Sequence, residues 1–127
     1  MIVLDACVLI AHLDASDAHH DRAFELLQGL AEEPFAASAP TLAEVLTGLA
    51  RSGGLERAGA ALRALAVETV PIGDGDPAEL VGPRSATGLE LPDCCVLLAA
   101  EQIRGGLATF EDRLAAAARE RGVPVHG

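Results

Sequence analysis

Residues 105–125, "GGLATFEDRLAAAARERGVPV", contain the pattern that decides the fold. The short apolar run 107–109 predicts a strand, 111–121 predicts a helix that stops at Gly122, and 123–125 predicts a last short strand. A strand, a helix and a second strand in so short a segment are typical of parallel strands joined by a helix. The segment therefore predicts an α/β protein.

The same alternation extends back to the first residue. The other predicted strands are 1–4, 35–38 and 68–72, and the other predicted helices are 16–33, 39–54, 55–67 and 92–104. The Gly- and Pro-rich segment 73–92 is expected to be a loop with a short helix at 78–81. We predict a three-layer α/β/α sandwich with a small, mainly parallel central sheet, formed by residues 1–127 as a single domain.

Composition restricts both the core and the class of ligand. Half of the 127 residues are hydrophobic and there is no Trp or Tyr, so the core must be built from Leu, Val, Ile and Ala. The net charge of −10 argues against binding nucleic acid through bulk electrostatics. It does not exclude a nuclease, because acids at a metal site add to the negative total and a bound divalent cation reverses the local sign. A basic partner protein is equally compatible.

The cysteines and the apolar segments indicate a cytoplasmic protein without a membrane segment. Three cysteines and no basic leader fit a reducing compartment better than a disulfide framework. The longest later apolar stretch, "CCVLLAA", is far shorter than the roughly 20 residues that span a bilayer. Cys7, Cys94 and Cys95 are expected to pack as small apolar side chains.

Several acids stand at equivalent places in the predicted fold, after a strand or in the first turn of a helix. They are Asp5, Glu44, Asp93 and either Glu111 or Asp112. In open α/β sheets this edge is where ligands bind. Carboxylates converging there would repel one another and stay charged only with a cation between them. Oxygen ligands of this kind favour Mg²⁺ or Mn²⁺.

Local structure offers an alternative explanation for some of these acids. Glu44 follows Thr41, and Asp112 follows Thr109, at the spacing of a helix capping box. An acid near a helix N-terminus is stabilised by about 0.3 to 1 kcal/mol. Asp5, directly after a predicted buried strand, is expected to gain little from a helix dipole and to need another partner.

Four segments carry a family resemblance when taken in order: "MIVLDACVLI" with Asp5, "PTLAEVLTGL" with Glu44, "LELPDCCVLLAAE" with Asp93, and "LATFEDRL". Over essentially the full chain this resembles the PIN domain, and within it the VapC-like ribonuclease toxins of bacterial toxin–antitoxin pairs. The resemblance implies one or two Mg²⁺ or Mn²⁺ ions held by the acids, and hydrolysis of RNA. Asp5 and Asp93 match the most essential metal ligands and Glu44 the second acid, while Thr109 supports an acid or a water. The resemblance also implies a VapB-like antitoxin and a homodimer.

The fourth acid departs from the family pattern, which usually has Asp two residues after the Thr. Here that position is Glu111, which shares a helical stripe with Leu114, whereas Asp112 shares one with Arg119. We therefore assign Glu111 as the fourth metal ligand and catalytic acid, beside Asp5, Glu44 and Asp93.

Two features leave the activity and the substrate open. Glu111, together with Cys7 where relatives often carry Ser, Thr or Asn, leaves a catalytically impaired PIN-like binding or regulatory module as the alternative function. The sequence does not identify the RNA, and its few aromatics do not suggest stacking platforms. The arginines that could touch phosphates are Arg22, Arg51, Arg84 and Arg104.

Overall fold

The computed structural model describes residues 1–127 as five strands and seven helices. The strands are β1 (Ile2–Leu4), β2 (Phe35–Ser38), β3 (Glu68–Val70), β4 (Gly106–Ala108) and β5 (Val125–His126). The helices are α1 (Ala6–Leu13), α2 (His20–Gly29), α3 (Ala39–Arg51), α4 (Leu55–Ala64), α5 (Asp76–Thr87), α6 (Leu91–Gln102) and α7 (Asp112–Glu120). None of these helices is long and apolar enough to cross a membrane.

The strands form one sheet in the order β3-β2-β1-β4-β5, and every pairing is parallel. Strands β2 and β3 lie on one side of β1, and β4 and β5 lie on its other side. Winding therefore reverses between β1 and β4, which is the place where doubly wound sheets leave a crevice at the strands' carboxyl ends. The predicted α/β/α sandwich is confirmed.

Alternate side chains of the strands enter two separate cores, one on each face of the sheet. Val3 and Leu107 pack in the core that contains buried residues of α6 and α7. Leu4 and Ala108 pack in the other core, with residues of α1, α2 and α3. Helix α6 is buried from Cys94 to Ala100, which explains why that stretch of the sequence is apolar on all sides.

The sequence analysis assigned no helix to the residues of α1. This helix starts directly after Asp5 and buries Val8, Leu9 and Ala11. Its mostly apolar sequence shows little amphipathic contrast, so the helical period is difficult to detect.

The segment predicted as a loop with a short helix at 78–81 is instead the twelve-residue helix α5, so this prediction was wrong. Helix α5 packs against α6. The buried Asp76 carboxylate accepts hydrogen bonds from the Gly73 backbone N–H and the Gln102 side chain, both at 2.7 Å. Tertiary packing therefore stabilises a helix despite the unfavourable Pro83 in its interior, and Gly88 ends it with a φ of 67°.

Candidate active site

The two central strands bring together residues from opposite ends of the chain. Leu4 of β1 pairs with Ala108 of β4, and the backbone N–H of Asp5 donates to the carbonyl oxygen of Ala108 at 3.0 Å. Asp5 and Thr109, which follow the two strands, are therefore neighbours at the carboxyl edge. This is the point at which the winding of the sheet reverses.

The Asp5 carboxylate is buried, with 4% of the residue exposed, and receives three hydrogen bonds. Its Oδ1 accepts from the Ala6 backbone N–H at 2.8 Å. Its Oδ2 accepts from the Thr109 hydroxyl at 2.7 Å and from the Cys7 thiol at 3.2 Å. The expectation that Asp5 gains little from a helix was wrong, because Asp5 is the N-cap of α1. These donors compensate for burying a negative charge.

Thr109 links two of the candidate acids rather than forming a capping box with Asp112. Its buried hydroxyl donates to Asp5 and accepts from the backbone N–H of Glu111 at 3.0 Å. Helix α7 begins at Asp112, and the residue in its N-cap position is Glu111. A substitution at Thr109 would therefore disturb both the Asp5 carboxylate and the start of α7.

Glu44 does not belong to a capping box either. The N-cap of α3 is Ser38, whose hydroxyl accepts from the Thr41 backbone N–H at 3.2 Å and donates to the Thr41 hydroxyl at 2.8 Å. Glu44 lies further along the helix and is exposed. The capping explanation for Glu44 is therefore wrong, and its carboxylate has no hydrogen-bonding role in starting α3.

The pKa of Asp93 reflects the negative charges of the acids around it. It lies half-buried in the first turn of α6, and its pKa is raised from 3.8 to about 6. Burial is the largest cause, followed by the negative charges of Asp5, Glu111, Glu44 and Glu90, in that order. Their combined repulsion is the behaviour expected of carboxylates that converge without a neutralising cation.

Glu111 and Asp112 differ in their relation to this group. Glu111 contributes to the raised pKa of Asp93, and Asp112 is not among the causes. In α7, Leu114 is buried, while Ala116 and Arg119 on the stripe of Asp112 are exposed. Glu111 is thus one of the charges that act on Asp93, and its role as the fourth acid stays a prediction.

Glu90 is a further acid whose charge acts on Asp93, and the sequence did not point to it. It is the N-cap residue of α6, but its side chain makes no capping hydrogen bond, and its charge acts on Asp93. Pro92 indicates that a helix begins nearby, because Pro favours the first turn, but the sequence does not show which flanking charges act on Asp93.

Cys7 packs against the core beneath α1, as expected, and its thiol also takes part in hydrogen bonds that the sequence did not indicate. The half-buried thiol donates to Asp5, and its sulfur accepts from the backbone N–H of Phe110 at 3.3 Å. Burial raises the pKa of Cys7 to about 12, and the charge of Asp5 adds to the effect. Because the thiol stays protonated at neutral pH, it remains a donor to Asp5. Cys94 and Cys95 are buried as expected.

The acid site supplies ligands suited to a hard divalent cation, although no three Asp, Glu, His or Cys side chains are arranged closely enough to hold one. Every acid acting on Asp93 offers carboxylate oxygens, the donors that Mg²⁺ and Mn²⁺ prefer. Glu44 and Glu111 are exposed, and their carboxylates make no hydrogen bonds. The chemistry of these donors therefore fits such an ion.

A family model described as "PIN domain" matches residues 2–120, and the chain belongs to this family. A toxin–antitoxin complex from Klebsiella pneumoniae is 25% identical, with a TM-score of 0.74 over 87% of each chain. Mycobacterium tuberculosis VapC20, described as a sarcin–ricin loop cleaving toxin, is 21% identical, with a TM-score of 0.76 over 92% of this chain and 95% of that one.

VapBC2 from Rickettsia felis, bound to a DNA fragment from its promoter, is 19% identical, with a TM-score of 0.71 over 98% of this chain and 97% of that one. Comparison with curated protein sequences finds no significant match. The resemblance to the PIN family is confirmed, and VapC toxins and toxin–antitoxin complexes are among the structural neighbours.

Proposed function

We propose that residues 1–127 form a single-domain, VapC-like endoribonuclease toxin that hydrolyses phosphodiester bonds in RNA with Mg²⁺ or Mn²⁺. The observation that carries the proposal is the PIN fold, matched over residues 2–120, in which buried Asp5 lies where the winding of the sheet reverses. The pKa of Asp93, raised to about 6 by burial and by neighbouring acids, is consistent with it. Carboxylates that repel one another in this way have a strong electrostatic reason to bind a divalent cation.

In this proposal Asp5, Glu44, Asp93 and Glu111 are the catalytic acids and would supply the ligands of the cation. When bound, such an ion lowers the pKa of water and offsets charge on the phosphate oxygens. Asp5 stays oriented because Thr109 and Cys7 donate to the same carboxylate oxygen. The water oxygen forms a bond to phosphorus while the bond from phosphorus to the leaving oxygen breaks. A carboxylate of the site that is not bound to the cation accepts the water's proton, and the leaving oxygen takes up a proton from solvent.

The proposal includes a VapB-like antitoxin as the inhibiting partner, a homodimer as the assembly and the cytoplasm as the compartment. The Klebsiella neighbour is described as a toxin–antitoxin complex, which supports a protein partner. A net charge of −10 favours a basic partner segment near the acids. Exposed apolar side chains, such as Phe24, Val81 and Leu91, are available for contacts between subunits.

The direct test is cleavage of total bacterial RNA by antitoxin-free protein with Mg²⁺ or Mn²⁺. The controls are the same reaction with EDTA and the Asp93→Asn variant. We expect discrete fragments that disappear in both controls, and mapping their ends identifies the RNA. Absence of cleavage by folded protein with either ion would reject the proposal.

A catalytically impaired binding module is the second candidate. It is favoured by the absence of three preassembled ligand side chains and by the thiol of Cys7 beside Asp5. This alternative predicts that a partner protein binds the wild type and Asp93→Asn equally while neither cleaves RNA.

A further inference from the structure

An arginine, a histidine and a phenylalanine form a small group beside the acid site, which we call the Phe110 platform. The Arg22 guanidinium carbon lies 4.3 Å from the centre of the Phe110 ring. The His19 ring lies on the same side chain, with 5.6 Å between ring centres and an angle of 50° between planes. Arg22 and His19 are exposed, and Phe110 is half-buried. His19 and Arg22 are close in the chain, but Phe110 is far from both, so only folding brings the three side chains together.

The platform is held close to the first acid by hydrogen bonds. The Phe110 backbone N–H donates to the sulfur of Cys7, whose thiol donates to Asp5. Phe110 also lies between Thr109, which donates to Asp5, and Glu111. The aromatic ring and the guanidinium stacked on it are therefore attached to the edge of the acid site.

The Arg22 guanidinium is available for a ligand. The structure contains two ion pairs, Met1 with Glu33 and Arg121 with Glu101, and neither involves Arg22. Arg84 donates to a backbone carbonyl, whereas no hydrogen bond occupies the donors of Arg22. Five N–H donors in a planar fork, oriented by an aromatic face, are suited to binding a phosphate through two parallel hydrogen bonds.

An RNA strand needs such a contact more than a basic partner does. A polyanion approaching Asp5, Asp93 and the other acids of a chain of net charge −10 meets repulsion away from the cation. An exposed guanidinium next to that site provides local attraction, and its face opposite Phe110 can stack on an unpaired base. A basic antitoxin segment would instead be repelled by Arg22.

We propose that the Phe110 platform binds one nucleotide of single-stranded RNA, its phosphate on Arg22 and its base against the exposed side of the platform, next to the phosphate that is cleaved. This inference rests on the proposed ribonuclease function and names a substrate contact for it.

Binding to RNA can be tested without cleavage. Asp93→Asn serves as the reference background, and the probe is a fluorescein-labelled single-stranded RNA oligonucleotide of mixed sequence. Fluorescence anisotropy over a series of KCl concentrations gives both the Kd and its salt dependence. Arg22→Ala and Arg22→Lys are compared with Arg119→Ala, which removes the same charge from an exposed position about 12 Å along α7 from Glu111.

We expect Arg22→Ala to raise the Kd about tenfold and to reduce the slope of log K against log salt by about 0.7, the value for one phosphate contact on a single strand. Arg22→Lys should keep the slope but bind more weakly than the reference, because an ammonium lacks the planar fork. Arg119→Ala should match the reference, and circular dichroism should show that all variants are folded.

Equal Kd and slope for Arg22→Ala and the reference would overturn the inference, as would absence of RNA binding by the reference protein. An effect of Arg22→Ala on binding of the protein partner alone would also overturn it and would assign the platform to that interface. Because binding is measured apart from cleavage, wild-type protein that binds through Arg22 but cuts no RNA would reject the nuclease proposal and not the platform.

Discussion

Replacing Asp93 by Asn should stabilise the metal-free protein while abolishing its proposed activity. The pKa of Asp93, raised from 3.8 to about 6, means that the native protein holds the ionised form unfavourably. The change corresponds to about 3 kcal/mol, which solvent screening of this half-buried group reduces to about 1 to 2 kcal/mol. The amide should recover most of that free energy, because the Asp93 carboxylate makes no hydrogen bond that the substitution would break. Loss of an acid from the first turn of α6 offsets the gain by about 0.3 to 1 kcal/mol.

The pH dependence of this effect has a definite sign. A group whose native pKa is raised binds its proton more tightly in the native state, so wild-type stability falls as pH rises from about 4 through about 6. The stability of Asp93→Asn should not fall with pH for this reason, because its amide does not ionise. The advantage of the variant should therefore be full above about pH 7 and shrink as the pH falls through about 6 towards 4.

Urea denaturation in EDTA between pH 5 and pH 8, at about unit intervals, measures the free energies of unfolding. Asp112→Asn is the matched control, since that acid does not act on Asp93 and begins α7, where its removal should cost about 0.3 to 1 kcal/mol. Adding Mn²⁺ should stabilise the wild type more than Asp93→Asn, because the cation binds the native acids. A variant no more stable than wild type at pH 8 in EDTA would refute the argued repulsion.

Two further outcomes are expected at the same edge of the sheet. Thr109→Val should lower the free energy of unfolding by about 1 to 3 kcal/mol, because it removes a donor to buried Asp5 and the acceptor of the Glu111 N–H. Thr109→Ser keeps a hydroxyl and should retain most of the wild-type stability. Urea denaturation distinguishes them, and equal losses would contradict the hydroxyl's role. Glu111→Gln should reduce metal-dependent RNA cleavage more than Asp112→Asn, because the charge of Glu111 acts on Asp93 and that of Asp112 does not. The reverse ranking in purified variants would reject the assignment of the fourth acid.

Much of the fold was predictable because its signals are local. The strand at 35–38 is present with the predicted bounds, and the terminal strand, helix and strand are present with slightly shifted ones. Short apolar runs and helical periodicity depend on nearby residues, so they can be detected without tertiary structure. Helix α5 could not be predicted in this way, since packing against α6 and the contact between Asp76 and Gln102 support it.

The sequence by itself determined the alternation of strands and helices, the excess of acids and the four acidic positions that match the PIN family. Only the tertiary structure decided what those residues contact. Pairing of β1 with β4 brings Thr109 to Asp5, which is 104 positions away in the chain. In the folded protein Cys7 also accepts a hydrogen bond from the Phe110 backbone, and Arg22 lies over the Phe110 ring. Secondary structure follows from interactions between neighbours, whereas hydrogen-bond partners, burial and pKa depend on groups that folding brings together from distant parts of the chain.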